Sequence, residues 1–149
     1  MSDILVDTNV LVYSFDPRDQ AKQAQARKVI DLLLGNARAV LSVQCLTEFF
    51  HIVRWRLPEP LPADDAFLEA SRFSRVCPVY SLTQPVVMEA LQASNSYQMS
   101  IWDALIWAIA KINQIPYVLT EDADHGRLLE GIHYLNPFHA DFDIALLEG

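Results

Sequence analysis

Short apolar runs alternate with longer amphipathic segments along the chain, and this alternation predicts its secondary structure. The runs are rich in β-branched residues and end at residues that favour caps and turns, which is typical of buried strands. They predict strands over residues 4–6, 39–41, 79–80, 117–119 and 132–135.

The segments between these runs carry apolar residues at helical spacing. They predict a helical segment from Val10, a helix from Asp19 to about Gly35, and helices over residues 43–56, 64–76, 85–97 and 100–113. Three prolines at positions 58, 60 and 62 predict a stiff loop. The predicted inner faces comprise Ala24, Val29, Leu32 and Leu33 in one helix, and Trp102, Leu105, Ile106 and Ile109 in another.

The order of these elements predicts a single domain of the α/β class. Strands that alternate with helices favour a mostly parallel sheet sandwiched between helices. The chain has 149 residues and is 52% hydrophobic, which is enough to bury a core without disulfides or metals as staples. We find no internal repeat, low-complexity segment or second domain within residues 1–149.

Acidic residues stand at the ends of two predicted strands. Asp7 ends the first strand and Asp122 lies just past the strand at 117–119, so both point to the edge where open parallel sheets bind ligands. Glu48 and Asp103 lie in early turns of two predicted helices beside the same sheet. These acidic side chains can therefore converge on one crevice.

A cluster of carboxylates needs protons or a cation. Two carboxylates about 4 Å apart repel by roughly 4 kcal/mol at an effective dielectric constant of 20. Hard divalent ions such as Mg²⁺ and Mn²⁺ take oxygen ligands and suit this arrangement. Beside a phosphodiester, such an ion activates water and stabilises the phosphoryl oxygens.

Each acidic residue also has a structural interpretation. Asp7 could cap the helix that follows it, and Ser100 with Asp103 forms a capping box. Glu48 could be a solvated helix residue, although its apolar neighbours favour a buried role.

The residues near the fourth acid are open to the same interpretation. Thr120 could cap a short helix, with Asp122 and Asp124 as favourable acids in its first turn. It is the joint placement of the acidic residues that favours a common site.

Charge and cysteine content narrow the class of protein. The formal net charge of −8 argues against a general nucleic-acid binder, unless a metal ion or a basic partner chain offsets it. Cys45 and Cys77 lie in apolar segments, as buried thiols of a reducing compartment do. The start of the chain lacks a signal peptide pattern, and no apolar run approaches the length of a membrane span. We therefore expect a cytoplasmic protein with no membrane association.

An aromatic residue between two arginines and two isolated histidines are weaker indications of a binding site. Trp55 lies between Arg54 and Arg56, where it could stack on RNA or dock a partner protein. His125 and His133 are isolated in the sequence, and we do not expect either to be a metal ligand.

Four segments of the chain together resemble PIN domains, and in particular the toxins of VapBC-type toxin–antitoxin pairs. Residues 4–13 resemble the first family motif, residues 44–49 the second, and residues 100–106 the third and most specific one. Residues 119–122, with His125-Gly126 and residues 136–138, resemble the ending of one branch of the family. The resemblance covers almost the whole chain.

The resemblance implies a three-layer α/β/α sandwich with a central, mostly parallel sheet. It also implies that Asp7, Glu48, Asp103 and Asp122 bind metal, with the Thr120 hydroxyl beside them. The chain departs from the branch pattern at Ala123 and Asp124, next to the fourth acid. If the Asp122 side chain points away from the site, Asp124 takes its place.

The activity implied by the resemblance is RNA cleavage dependent on Mg²⁺ or Mn²⁺. Water activated by metal at Asp7 and Asp103 would leave a 5′-phosphate and a 3′-hydroxyl, while Glu48 and Asp122 complete the coordination or position a second ion. Family members are commonly homodimers that a cognate antitoxin holds inactive.

Two other classes of protein remain as alternatives. A non-catalytic PIN-like module would dock RNA or a protein partner, but no acid of the quartet is missing. A phosphotransfer protein would also need an aspartate at a strand end. It would further need either a lysine after its last strands or a second aspartate where this chain has Asn9.

Overall fold

The computed structural model describes residues 2–149. Its strands are β1 (Ile4–Val6), β2 (Ala39–Ser42), β3 (Val79–Tyr80), β4 (Tyr117–Leu119), β5 (Leu128–Leu129) and β6 (Ile132–Leu135). Its helices are α1 (Thr8–Tyr13), α2 (Gln20–Gly35), α3 (Val43–Trp55), α4 (Ala63–Val76), α5 (Gln84–Tyr97) and α6 (Ile101–Ile112), and a 3₁₀ helix follows at Ile144–Leu147. The predicted strands and helices are therefore present, with boundaries within two residues of the prediction.

The strands form one sheet in the order β3-β2-β1-β4-β6-β5. Every neighbouring pair is parallel except β5 and β6, which are antiparallel. This arrangement confirms the prediction of a mostly parallel sheet. The sequence did not predict β5, which joins β6 through a two-residue turn with positive φ at Glu130 and Gly131, as type I′ hairpin turns require.

Successive residues of the central strands face opposite sides of the sheet. Ile4 and Val6 belong to one hydrophobic core, whereas Leu5 belongs to the other. The first core contains buried residues of α1, α2, α3 and α4, and the second contains those of α5 and α6. The chain is thus a three-layer α/β/α sandwich, as predicted.

Two predicted core positions are wrong. Ala24 is exposed, and α2 instead buries Ala26, Val29, Ile30 and Leu33, a set with the i, i+3, i+4, i+7 spacing of a single helix face. Trp102 is 62% exposed because it lies in the first turn of α6, ahead of the fully buried stretch at 104–110 that packs between the sheet and α5. Leu105, Ile106 and Ile109 are buried as predicted.

Polar residues fix the starts of the helices that carry site residues. The Ser42 hydroxyl accepts the Cys45 backbone N–H at 3.1 Å, and the Ser100 hydroxyl accepts that of Asp103 at 3.1 Å. The helix cap predicted at Ser100 is confirmed, and Ser42 caps α3 in the same way. Cys45 and Cys77 are buried free thiols.

Candidate functional site

The sheet register brings Asp7 and Thr120 side by side. Val6 pairs with Leu119 at the last position of the β1–β4 ladder, so the next residue of each strand lies at the carboxyl edge of the sheet. The Thr120 hydroxyl donates to Asp7 Oδ2 at 2.8 Å, and the Thr8 backbone N–H donates to Oδ1 at 2.7 Å. Only 8% of Asp7 is exposed, so its carboxylate is held in a fixed orientation.

Glu48 lies in the second turn of α3 and is half-buried. The Thr8 hydroxyl donates to its Oε2 at 3.1 Å, and the Gln44 side-chain amide donates to its Oε1 at 3.1 Å. Thr8 therefore contacts two of the predicted acids, through its backbone N–H to Asp7 and through its hydroxyl to Glu48.

Asn9 ties the loop after β4 to the start of α1. Its amide nitrogen donates to Thr120 Oγ1 at 3.2 Å and to Asp122 Oδ2 at 3.1 Å, and its oxygen accepts the Glu121 backbone N–H at 3.3 Å. The Thr120 hydroxyl also accepts the Asp122 backbone N–H at 3.0 Å. Thr120 is therefore a hub of the site, and no helix follows it that it could cap.

Asp103 completes the cluster from the other side. It lies in the first turn of α6 and lines a cleft of about 210 Å³ together with Asp7, Thr120 and Asp122. Glu48 lines an adjoining cavity with Asp7 and Asp122. The structure thus places Asp7, Asp103 and Asp122 along one cleft, with Glu48 on the adjoining cavity. Asp124 does not line either cavity and faces a shallow neighbouring one instead.

Burial and mutual repulsion disfavour the ionised form of these carboxyl groups. Burial is the main cause that raises the pKa of Asp7 from 3.8 to about 6; the Asp122 and Glu48 carboxylates raise it further, against the hydrogen bonds from Thr120 and Thr8. Burial also raises the pKa of Asp122, and the nearby charge of Asp103 adds to this effect. A bound cation would relieve both costs.

The donor atoms fit a hard divalent cation, but they do not form a closed cage. Within residues 2–149, no three His, Cys, Asp or Glu side chains come close enough to chelate one ion. The oxygens around the cleft belong to carboxylates and hydroxyls, which are ligands that Mg²⁺ prefers. Mg²⁺ usually keeps several waters and is held by one or two carboxylates, so an open site of this kind fits it.

Sequence reasoning missed several groups of the site. Tyr134 lies on β6 and lines the cleft, and its buried hydroxyl has no hydrogen-bond partner among the described residues. Burial raises the pKa of Tyr134 to about 12, so this hydroxyl stays protonated and can donate. In the sequence, Tyr134 is marked only as part of an apolar strand. Asn9 stands out in the sequence only as the position where a phosphotransfer protein would carry an aspartate, and its hydrogen bonds to the loop after β4 are visible only in the structure.

The chain is similar to one protein family and to several solved structures. The family model described as "PIN domain" matches residues 4–130. A toxin–antitoxin complex from Klebsiella pneumoniae has a chain that is 15% identical, with a TM-score of 0.67 over 91% of this chain and 98% of that one.

Two further structures have the same fold. In the DNA-bound VapBC from Salmonella typhimurium, a chain is 15% identical and has a TM-score of 0.65 over 90% of this chain and 97% of that one. VapC20 of Mycobacterium tuberculosis, described as a toxin that cleaves the sarcin–ricin loop, is 20% identical. Its TM-score is 0.60 over 78% of this chain and 87% of that one. No curated protein matches the sequence.

Proposed function

The chain belongs to the PIN domain family, and from this premise we propose that it is a divalent-cation-dependent endoribonuclease and the toxin of a toxin–antitoxin pair. The observation that supports this most strongly is the placement of Asp7, Asp103 and Asp122 on one cleft, with Glu48 in the adjoining cavity. Their carboxylates come from four separate parts of the chain.

Each acidic residue has a distinct role in this proposal. Asp7 and Asp103 would hold the ion, and Glu48 in the adjoining cavity and Asp122 in the loop after β4 would complete its coordination. The Thr120 hydroxyl orients the Asp7 carboxylate, to which it donates a hydrogen bond. Tyr134 lines the same cleft, with its hydroxyl buried and unpartnered among the described residues.

The cation would be Mg²⁺ or Mn²⁺. When bound, it supplies activation of water for in-line attack and stabilises charge on the phosphoryl oxygens. The residues exclude bulk water from one side of the cleft, because Asp7, Thr120 and Tyr134 are all buried. The products would carry a 5′-phosphate and a 3′-hydroxyl.

The structural neighbours support the proposed partner protein. Several neighbours are described as toxin–antitoxin or VapBC complexes, which supports an antitoxin partner for this chain. A homodimer and a cytoplasmic location belong to the same proposal. Within residues 2–149, no helix has the length and hydropathy of a membrane span.

The direct test is cleavage of RNA by the purified chain. Incubation with Mn²⁺ or Mg²⁺ should yield fragments with 5′-phosphate ends, which an exonuclease specific for 5′-phosphates degrades. EDTA should abolish the reaction, and re-addition of Mn²⁺ should restore it. Folded protein that binds Mn²⁺ and cleaves none of a panel of transfer, ribosomal and messenger RNAs would contradict the proposal.

Replacing Thr120 by valine tests the hydroxyl at the centre of the site. Thr120→Val keeps the shape of the side chain, but it removes the donor to Asp7 and the acceptor for Asn9 and Asp122. Loss of a group that orients a metal ligand typically lowers activity about 10- to 100-fold. We expect that loss in kcat with Mn²⁺. The control is Thr47→Val on the exposed face of α3, which should leave kcat unchanged.

Asp122 and its neighbour Asp124 can be separated by matched substitutions. Asp122→Asn should lower cleavage by about 10- to 50-fold, because this carboxylate lines both cavities of the site. Asp124→Asn should stay within about twofold of the parent enzyme, since its side chain lies outside them. The reverse result, measured in the same cleavage assay, would assign the fourth acidic role to Asp124.

A non-catalytic RNA- or protein-binding module is the second candidate function. Such a module would use the same acidic cleft to bind its partner without a bound cation. Calorimetric titration with Mn²⁺ at neutral pH distinguishes the two candidates. Binding that Asp7→Asn and Asp103→Asn both weaken supports the nuclease, whereas no detectable binding would support the module.

A further inference from the structure

Besides the cavity that contains Glu48, a third and shallow cavity of about 490 Å³ adjoins the acidic cleft. The two cavities share Asp122, Ala123 and Arg127. The shallow cavity is also lined by His125 and His139, which are 14 residues apart in the chain and do not line the acidic cleft. A chain molecule that occupies the cleft therefore has a continuous path towards these two histidines.

The two histidine rings form a stack with their donors left free. Their centroids are 5.2 Å apart and their planes differ by 22°. The Nδ1 atom of His125 accepts the Asn136 backbone N–H at 3.1 Å, and that of His139 accepts the Asp141 backbone N–H at 3.1 Å. Because Nδ1 is the acceptor in both rings, the proton of each neutral ring lies on Nε2.

Arg127 is the cation nearest to both cavities, and it has no ion-pair partner among the described residues. Four of the eleven lysine and arginine side chains, at positions 18, 22, 72 and 111, form ion pairs with acidic residues. Among those that form none, Arg127 is the one that lines both the acidic cleft and the shallow cavity. Arg127 lines these cavities with Asp103, Asp122 and Asp124, and its backbone N–H donates to the Asp124 carbonyl at 3.1 Å, but its guanidinium forms no ion pair with any of the three carboxylates. Although the chain has a net charge of −8, this guanidinium has N–H donors available to bind an anion.

We propose that Arg127, His125 and His139 form a subsite that binds a backbone phosphate of RNA, next to the phosphodiester that lies in the acidic cleft. This inference rests on the proposed ribonuclease function. The guanidinium presents a fork of N–H donors that matches phosphate oxygens, and the two imidazoles add Nε2–H donors. Contacts of this kind position a nucleic acid without reading its sequence.

The neighbouring carboxylates should make RNA binding at this subsite depend on a divalent cation. Asp122 and Asp124 line the same cavity as Arg127 and repel a phosphate there. A divalent cation in the acidic cleft offsets the charge of Asp122. Binding of RNA at the subsite should therefore be tighter with a divalent cation present than with EDTA.

The test measures RNA affinity separately from cleavage. A fluorescein-labelled single-stranded RNA is titrated with Asp7→Asn protein in Mn²⁺, and anisotropy gives Kd at several salt concentrations. Adding Arg127→Gln should raise Kd about tenfold, as loss of a charged hydrogen bond does. It should also reduce the slope of log Kd against log salt by about 0.7, the value for one phosphate contact on a single strand. Arg75→Gln, on exposed α4 surface, should change neither value.

The histidines are tested with asparagine. His125→Asn and His139→Asn keep an acceptor for the backbone N–H that each ring now binds, but they remove the Nε2–H donor. Each should raise Kd about threefold and leave the thermal midpoint within about 2 °C, within the range of a neutral surface change. In the cleavage-competent protein, Arg127→Gln should raise KM while kcat stays within about twofold.

The outcomes separate the subsite from the nuclease. If RNA is cleaved and Arg127→Gln changes neither Kd nor the salt slope, the subsite is wrong and the nuclease stands. If the parent protein neither binds nor cleaves RNA in Mn²⁺, the proposed function fails and the subsite fails with it. If a polyglutamate peptide, but not RNA, loses affinity with Arg127→Gln, the site binds an acidic protein segment and the RNA proposal is overturned.

Discussion

Asp7→Asn is expected to lower cation-dependent RNA cleavage by more than about 100-fold. Loss of a group that only supports a metal ligand costs about 10- to 100-fold, and Asp7 is proposed to be a ligand itself. Asparagine can still accept the Thr8 backbone N–H, so the start of α1 keeps its hydrogen bond. The measurement is single-turnover cleavage at saturating Mn²⁺, together with circular dichroism to establish that the variant is folded.

A matched control comes from an aspartate away from the cleft. Asp31 is exposed on α2, and Asp31→Asn should cleave RNA at the rate of the parent enzyme while changing the net charge by the same amount. A folded Asp7→Asn protein that cleaves at an undiminished rate would remove Asp7 from the proposed mechanism. Equal losses in both variants would point to overall charge as the cause.

The stability of the protein in EDTA is expected to depend on pH through the same carboxyl group. Burial raises the pKa of Asp7 from 3.8 to about 6, so the folded chain holds this proton more tightly than the unfolded chain does. The contribution of Asp7 to the free energy of unfolding is therefore complete below about pH 4. It falls as the pH rises through about 6, by about 3 kcal/mol in total.

The difference between the parent protein and Asp7→Asn isolates this effect from other titrating groups. Urea unfolding in EDTA at pH 4, 5, 6 and 7 should show the parent losing stability relative to the variant as the pH rises. At pH 7, Mn²⁺ at 100 times its Kd should restore about 2.7 kcal/mol to the parent, and little to the variant. Parallel stability curves for the two proteins would show that Asp7 is not perturbed by burial.

Local sequence signals were sufficient to predict the elements that position the site. Ser42 and Ser100 start helices α3 and α6 through side-chain caps, and these helices carry Glu48 and Asp103. The strand preceding Asp7 is recognisable because it is apolar and ends at a polar turn. These features depend on residues close together in the chain, so no tertiary information is needed to find them.

Features set by distant contacts were not predictable in the same way. Trp102 has the spacing of a core residue, but it is exposed because the packing of α6 begins two residues later. Strand β5 was missed because its turn contains Glu130-Gly131 rather than the Asn-Gly or Asp-Gly pair that marks such hairpins. The partners of Asn9 lie more than 110 residues away in sequence, so its role is visible only in three dimensions.

The way in which β1 divides its side chains between two cores has a consequence for tolerance of insertions and deletions. Ile4 and Val6 fill one layer and Leu5 the other, so adding or removing one residue within β1 would exchange the layers into which they project. The same shift would move Asp7 away from its partner at Thr120. A chain that misaligns this first strand would therefore lose the packing of both layers and the Asp7–Thr120 hydrogen bond together.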